Sequence, residues 1–132
     1  MSGRVHFCWS CYAQLPGLSR LCPRCGGPTE PPADATQVQL QLWSLGHPLV
    51  GRRMIALAAL ERSPAAAGDS TVVEAVRALV NSADPYLAAR ALQSLHALAG
   101  ADSWDVVQRA AEEGSSAPVR RVARDLLAKR GG

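Results

Sequence analysis

The sequence predicts a mainly α-helical fold in which a small cysteine-rich head precedes a short stack of helical hairpins. Three observations support this prediction. Alanine and leucine are abundant, with 23 and 16 copies, and only six residues are aromatic, a composition that favours helix over strand. All four cysteines fall between residues 8 and 25. The rest of the chain repeats one helical pattern three times.

The length and composition indicate one compact unit, or a small domain with an appendage. The chain has 132 residues, of which 48% are hydrophobic and 19% charged, and this balance excludes a largely disordered protein. No apolar run approaches the roughly 18 residues of a membrane span, and the first thirty residues contain cysteines and arginines instead of an apolar signal core. We therefore expect a cytoplasmic protein without a membrane partner.

The head contains two Cys-x-x-Cys pairs, Cys8 with Cys11 and Cys22 with Cys25, separated by ten residues. Two tight turns at this spacing can direct four thiolates toward one point, as tetrahedral Zn²⁺ requires, and a single hairpin with one pair at each end would suffice. A four-thiolate site has no open position, so we expect one structural Zn²⁺ that performs no chemistry. A disulfide-bonded head and a redox dithiol are the less favoured alternatives, because they require an oxidising compartment and a βαβ unit.

Residues 7–28 resemble the short bacterial zinc ribbons. The resemblance rests on Phe7-Cys8, on Leu15-Pro16 and on the run from Leu21 to Pro28, and it implies a module for binding or tethering. The sequence departs from that pattern at Tyr12, where the ribbons have glycine. Trp9 lies between two predicted ligands, and we expect it either to pack on the body or to anchor a partner.

A proline-rich linker over residues 29–35 separates the head, residues 1–28, from the body, residues 36–132. Its prolines favour an extended, stiff backbone. The next segment, 36–45, fits either a strand or a helix by periodicity. We predict a helix, because Thr36 can cap its start and Gly46 can end it.

The repeated pattern places small or apolar residues at positions i, i+4, i+7 and i+8. It begins at Val50, Leu87 and Val119, and each copy follows a helix-start signal such as Asp84-Pro85, in which proline occupies the first turn. These segments predict the second helices of three hairpins, over residues 49–62, 86–98 and 118–130.

Partner helices are predicted between these segments. Residues 71–81 present one apolar face, and Thr71 with Glu74 fits a capping box; residues 103–113 form the next partner and end at Gly114. Three helical hairpins in sequence result. Each has an apolar face too narrow to be stable alone, so neighbouring hairpins must stack.

The body, over residues 36–130, resembles HEAT-like repeats of the PBS-lyase type. Asp84-Pro85-Tyr86-Leu87 is similar to the start of their second helix, and Pro118-Val119-Arg120 is similar to its middle. The resemblance implies a short α-solenoid of about three hairpins with a scaffold or docking role. We expect the head to cover the N-terminal end of this array, which would otherwise expose apolar surface.

The predicted second helices carry seven more basic than acidic residues, whereas the predicted first helices carry two more acidic than basic residues. In HEAT-like arrays the second helices line the concave face, so the resemblance implies a basic face suited to an acidic protein or to phosphates. Alternatively, these arginines serve the fold or solubility. The candidate partner-binding residues are Arg53, Arg90, Arg121, Arg124 and Trp9.

An enzyme is not expected. The chain has no glycine-rich phosphate loop and no Gly-x-Ser-x-Gly motif, and its three histidines are isolated from one another. We predict an adaptor without a small-molecule substrate, which binds another protein through the array and the ribbon. Binding of nucleic acid or a ribonucleoprotein by the basic face is the alternative.

Overall fold

A computed structural model describes residues 6–17 and 19–131. Residues 1–5 and 18 of the predicted head and residue 132 of the predicted body lie outside the described residues. The elements are the strands β1 (His6–Phe7) and β2 (Gln14–Leu15), followed by the helices α1 (Gln37–Leu45), α2 (Val50–Glu61), α3 (Ser70–Leu79), α4 (Pro85–Ala99), α5 (Trp104–Glu113) and α6 (Ala117–Gly131). A short 3-10 turn, Gly100–Ser103, joins α4 to α5. The prediction of a mainly α-helical fold is confirmed.

Consecutive helices pack against each other as hairpins: α1 on α2, α3 on α4, and α5 on α6. The second helices of these hairpins also contact one another, because α4 packs against both α2 and α6. Among the completely buried leucines, Leu57 and Leu60 of α2 and Leu95 of α4 belong to one cluster, and Leu92 of α4 belongs to a second. The central position of α4 therefore places its buried residues in two hydrophobic clusters, one shared with α1, α2 and α3 and the other with α5 and α6. Within the described residues, no helix is both long and apolar enough to cross a bilayer.

The start of α1 confirms that segment 36–45 is helical. The Thr36 hydroxyl accepts a hydrogen bond from the Gln39 backbone N–H, and the Gln39 side chain accepts one from the Thr36 N–H. This reciprocal capping satisfies two donors that the first helical turn leaves unpaired. The period-two pattern of this segment is therefore overridden by its capping signals.

The remaining caps agree with the sequence in one case and differ in another. Asp84 caps α4 as predicted, since its carboxylate accepts from the backbone N–H groups of Tyr86 and Leu87. The predicted Thr71–Glu74 capping box is wrong. Asp69 caps α3 instead, because the helix begins at Ser70, one residue before Thr71. From the position before Ser70, the Asp69 carboxylate accepts hydrogen bonds from the backbone N–H groups of Thr71 and Val72.

The head contains two small turns, as the spacing of the cysteine pairs predicted, but each turn has its own backbone pairing and does not lie at one end of a shared hairpin. β1 and β2 pair in antiparallel fashion, His6 opposite Leu15, and enclose the first cysteine pair between them. A separate bridge between Leu21 and Pro28 encloses the second pair. Each pair therefore lies in the turn of its own two-stranded unit.

Candidate metal centre and its contact with the helices

The four cysteines meet at one point of the head. Their Sγ atoms all lie within 4.8 Å of one another, and the closest pairs, Cys8–Cys25 and Cys11–Cys22, are 3.8 and 3.9 Å apart. These separations exclude disulfide bonds. They match the edge of about 3.8 Å of a tetrahedron of thiolates at the Zn–S bond length. The four sulfurs can therefore hold one metal ion.

Backbone N–H groups point at the sulfurs in both turns. Ser10 N–H donates to Cys8 Sγ at 3.3 Å, and Arg24 N–H donates to Cys22 Sγ at the same distance. The two turns thus use equivalent bonds, each from the residue two positions after the first cysteine. Hydrogen bonds of this kind stabilise a thiolate and fix its direction, so the loops are already shaped to present ligands.

The pKa values of the thiols show the effect of crowding. Backbone N–H bonds from Cys25 and Arg24 hold the pKa of Cys22 down to about 7 against the effect of desolvation. The Ala13 backbone bond lowers the pKa of Cys11, but desolvation and the three neighbouring thiols raise it to about 12. Four adjacent thiols cannot all ionise near neutral pH by themselves, and a bound cation would remove that repulsion.

Tyr12 adopts a conformation that side chains rarely take. Its φ is +64°, close to the +76° of Gly26, and both residues directly follow the second cysteine of a pair. Glycine occupies this position in the ribbons that the head resembles, and Tyr12 adopts the left-handed conformation that glycine favours. A left-handed tyrosine costs about 1 kcal/mol or more, so contacts elsewhere must offset that cost.

Those contacts are made with Trp43 of α1. The Trp43 ring lies between Trp9 and Tyr12 and stacks on both, with centroids 5.3 and 5.0 Å away. Two hydrogen bonds complete the arrangement: Trp43 Nε1 donates to the Trp9 carbonyl at 2.8 Å, and the Tyr12 hydroxyl donates to the Trp43 carbonyl at 2.6 Å. The head is thus held against the first helix, as expected from the sequence.

His47 of the body contacts the aromatic rings of Phe7, Tyr12 and Trp43. Its side chain is buried and its ring meets the Phe7 ring edge-on at 4.4 Å. Its Nδ1 accepts a hydrogen bond from the N–H of Leu49, the residue that precedes the first turn of α2. Desolvation, followed by the charges of Arg52 and Arg53, lowers the pKa of His47. The imidazole therefore accepts this bond in its neutral form. We refer to Phe7, Trp9, Tyr12, Trp43 and His47 as the aromatic cluster.

Two of the predicted partner-binding arginines bond within the chain. Arg53 is half-buried and donates from Nε to the His47 carbonyl at 2.5 Å. Arg90 is half-buried and forms an ion pair with Glu61 at 3.0 Å, which links α4 to α2. These bonds match the alternative in which arginines support neighbouring helix ends. Whether Arg53 and Arg90 also contact a partner stays a prediction.

The other predicted partner-binding residues have different surroundings. Arg121 and Arg124 are exposed on α6. Trp9 is half-buried by its stack on Trp43, and its remaining edge borders two surface grooves of about 170 and 420 Å³. Trp9 lies in the head, whereas Arg121 and Arg124 lie on α6, which packs against α4, the helix that carries Arg90. Their role in binding stays a prediction.

The sequence analysis missed Trp43 and His47 as parts of the site. Trp43 was one of only three tryptophans, and an aromatic residue on the helix that follows a short linker is a usable signal of a docking contact. His47 replaces aspartate in the helix-start pattern, and this departure is a signal that its side chain packs in the interior.

No protein-family model, curated protein or solved structure matches the chain.

Proposed function

We propose that this chain is a non-enzymatic adaptor, located in the cytoplasm, that binds another protein. In this proposal the three hairpins form a short HEAT-like α-solenoid, and the head is a zinc ribbon that holds one structural Zn²⁺. The observation that carries it is the layer formed by α2, α4 and α6, which presents exposed arginines to solvent. A layer of this kind is a rigid surface suited to a partner with acidic groups.

The chemistry of the cysteines favours a structural role for the metal. Zn²⁺ accepts four ligands, and the head supplies four sulfurs, so a bound ion would have no position for a substrate. A groove of about 380 Å³ between α3 and α5 is lined by charged residues, including Arg77, Asp105, Arg109 and Glu113, but the described residues that line it include no histidine or cysteine. We therefore propose no catalytic role for the groove.

Nucleic-acid binding is the second candidate. Arg121 and Arg124 are exposed on successive turns of α6, and cations at this spacing could follow a phosphate backbone. Binding that neutralises phosphates weakens linearly on a log-log plot as salt rises. An adaptor that binds protein by mixed apolar and polar contacts has a much smaller salt slope.

Capture from a native cytosolic extract distinguishes the two. Immobilised zinc-loaded protein is incubated with the extract before and after nuclease treatment, and the retained material is quantified. Retention of a polypeptide in fixed ratio after nuclease supports the adaptor. Arg124→Glu should reduce that retention, whereas Arg109→Glu, an equal change of charge on an exposed residue of α5, should not.

Loss of retention after nuclease treatment would contradict the adaptor function. If retention disappears with nuclease, and if RNA or DNA oligonucleotides bind the purified protein with a steep salt slope, the adaptor function is wrong and the nucleic-acid alternative replaces it.

A further inference from the structure

Most of the exposed large apolar side chains lie on two neighbouring helices, α2 and α4. Among the described residues, those that are most exposed are Leu21, Leu49, Val50, Ile55 and Tyr86, with Ile55 at 66% and Tyr86 at 72%. All except Leu21 lie on α2, at its cap, or in the first turn of α4. Single exposed apolar residues are common, but several on two neighbouring helices mark an interaction surface.

The register of α2 and α4 places Ile55 beside Tyr86. Glu61 of α2 accepts hydrogen bonds from Arg90 and Ser94 of α4, which lie 29 and 33 residues further along the chain. α2 and α4 run in the same direction, because the loop that leaves α2 meets the C-terminal end of α4, where the Gly68 N–H donates to the Leu98 carbonyl. The mean offset of about 31 therefore applies along both helices. The same offset separates Ile55 from Tyr86, and the two exposed side chains therefore lie at the same level.

Exposed cationic side chains lie on or at the end of α2, which carries Ile55, and on α6, which neighbours the helix of Tyr86. Arg52 and Arg62 are exposed on α2 or at its end, and Arg121 and Arg124 are exposed on α6, which packs against α4. The same layer contains two acidic residues: Glu61 is engaged by Arg90, and Asp125 is exposed on α6 among more numerous arginines. The surface thus combines an apolar centre with a positive border. We call Arg52, Ile55, Arg62 and Tyr86 the Ile55–Tyr86 surface.

We propose that the Ile55–Tyr86 surface is the docking site for a protein segment that presents apolar side chains flanked by carboxylates. This inference rests on the proposed adaptor function and names its partner chemistry. The charge of the border selects an acidic segment. The aliphatic side chains favour protein over nucleic acid, because phosphates and sugars would leave Ile55 without an apolar contact. Tyrosine and arginine are also the residue types that dominate binding energy at protein interfaces.

The test uses a displayed library of random peptides selected against the full-length, zinc-loaded protein. The expected result is enrichment of peptides that combine apolar residues with Asp or Glu. Ile55→Asp and Tyr86→Ala should each weaken the selected peptides at least tenfold, as substitution of an interface hot spot does. The matched control is Leu21→Asp, which changes an equally exposed apolar residue of the head and should leave affinity unchanged.

Each other outcome overturns the inference in a recognisable way. If the selected peptides bind the Ile55 and Tyr86 variants as tightly as the wild-type protein, the adaptor function stands but this surface is not its site. If no peptide is enriched while a single-stranded RNA oligonucleotide binds, both the inference and the adaptor function are wrong. Circular dichroism of each variant establishes that its helices are intact.

Discussion

The stack between Trp9 and Trp43 should couple the stability of the head to that of the helices. The perturbation is a double-mutant cycle that combines Trp9→Ala with Trp43→Ala. Each change removes one ring from a stacked pair with centroids 5.3 Å apart, and Trp43→Ala also removes the donor to the Trp9 carbonyl. Because both residues are exposed in part, the variants should still fold.

The expected magnitude follows from these contacts. Truncation of a core tryptophan costs about 3–5 kcal/mol, and since Trp43 is only half-buried we expect about 3 kcal/mol. The coupling energy between Trp9 and Trp43 should be about 1 kcal/mol, the value typical of an aromatic pair. With about 4 °C for each kcal/mol in a chain of this size, Trp43→Ala should lower the unfolding temperature by about 12 °C.

The assay is thermal and urea unfolding of the zinc-loaded variants, followed by the helical signal in far-UV circular dichroism. Trp104 provides the matched control. It packs on His96 and lies under Arg130 at the other end of the chain, so Trp104→Ala should reduce stability without coupling to Trp9→Ala.

Two results would refute the reasoning. One is additivity of Trp9→Ala and Trp43→Ala within about 0.5 kcal/mol, the range found for independent sites. The other is an unchanged helical transition in Trp43→Ala. Either result would mean that the head and the helices are stabilised separately.

Three further predictions concern the same region. Gly46→Ala should destabilise the protein, because its Cβ would lie 2.5 Å from the Tyr12 hydroxyl, whereas Gly51→Ala, with nothing within 4 Å, should stabilise α2 by about 0.5–1 kcal/mol; thermal unfolding compares the two. His47→Asn should lose less stability than the wild-type protein when the pH falls from about 8 to about 5.5, as measured by urea unfolding. Elemental analysis should find about one Zn²⁺ per chain, and a chelator should lower the unfolding temperature of the wild-type protein but not that of Cys22→Ser.

The sign of the pH effect follows from the lowered pKa of His47. Below the ordinary histidine pKa of about 6.5, the unfolded chain binds a proton that the folded chain does not, so stability falls as the pH falls. Asparagine can still accept from Leu49 N–H but does not titrate. Acid release of zinc affects both proteins, so a difference in unfolding free energy between them that stays constant across the pH range would contradict the neutral buried imidazole.

Equal effects of Gly46→Ala and Gly51→Ala on the unfolding temperature would contradict the contact between Gly46 and Tyr12. A chelator effect that is retained in Cys22→Ser would contradict the four-cysteine site.

Local features of this protein were predictable from the sequence. The helices lie within a few residues of their predicted positions, Thr36 and Asp84 cap them, and the four cysteines converge as their spacing indicated. Each of these features depends on residues within about four positions of one another, or on two turns joined by a short loop. Periodicity and capping signals report interactions at that range.

The sequence by itself therefore determined the helices and the cluster of four cysteines, but the tertiary structure decided what the head and the arginines contact. The bonds of Trp43 with Tyr12 and Trp9 span 31 and 34 residues, and the bond of Arg90 with Glu61 spans 29. No local pattern encodes such pairs, because their energy depends on the packing of whole elements. That packing turned Arg90 inward, offset the strained backbone of Tyr12, and left Ile55 and Tyr86 exposed together.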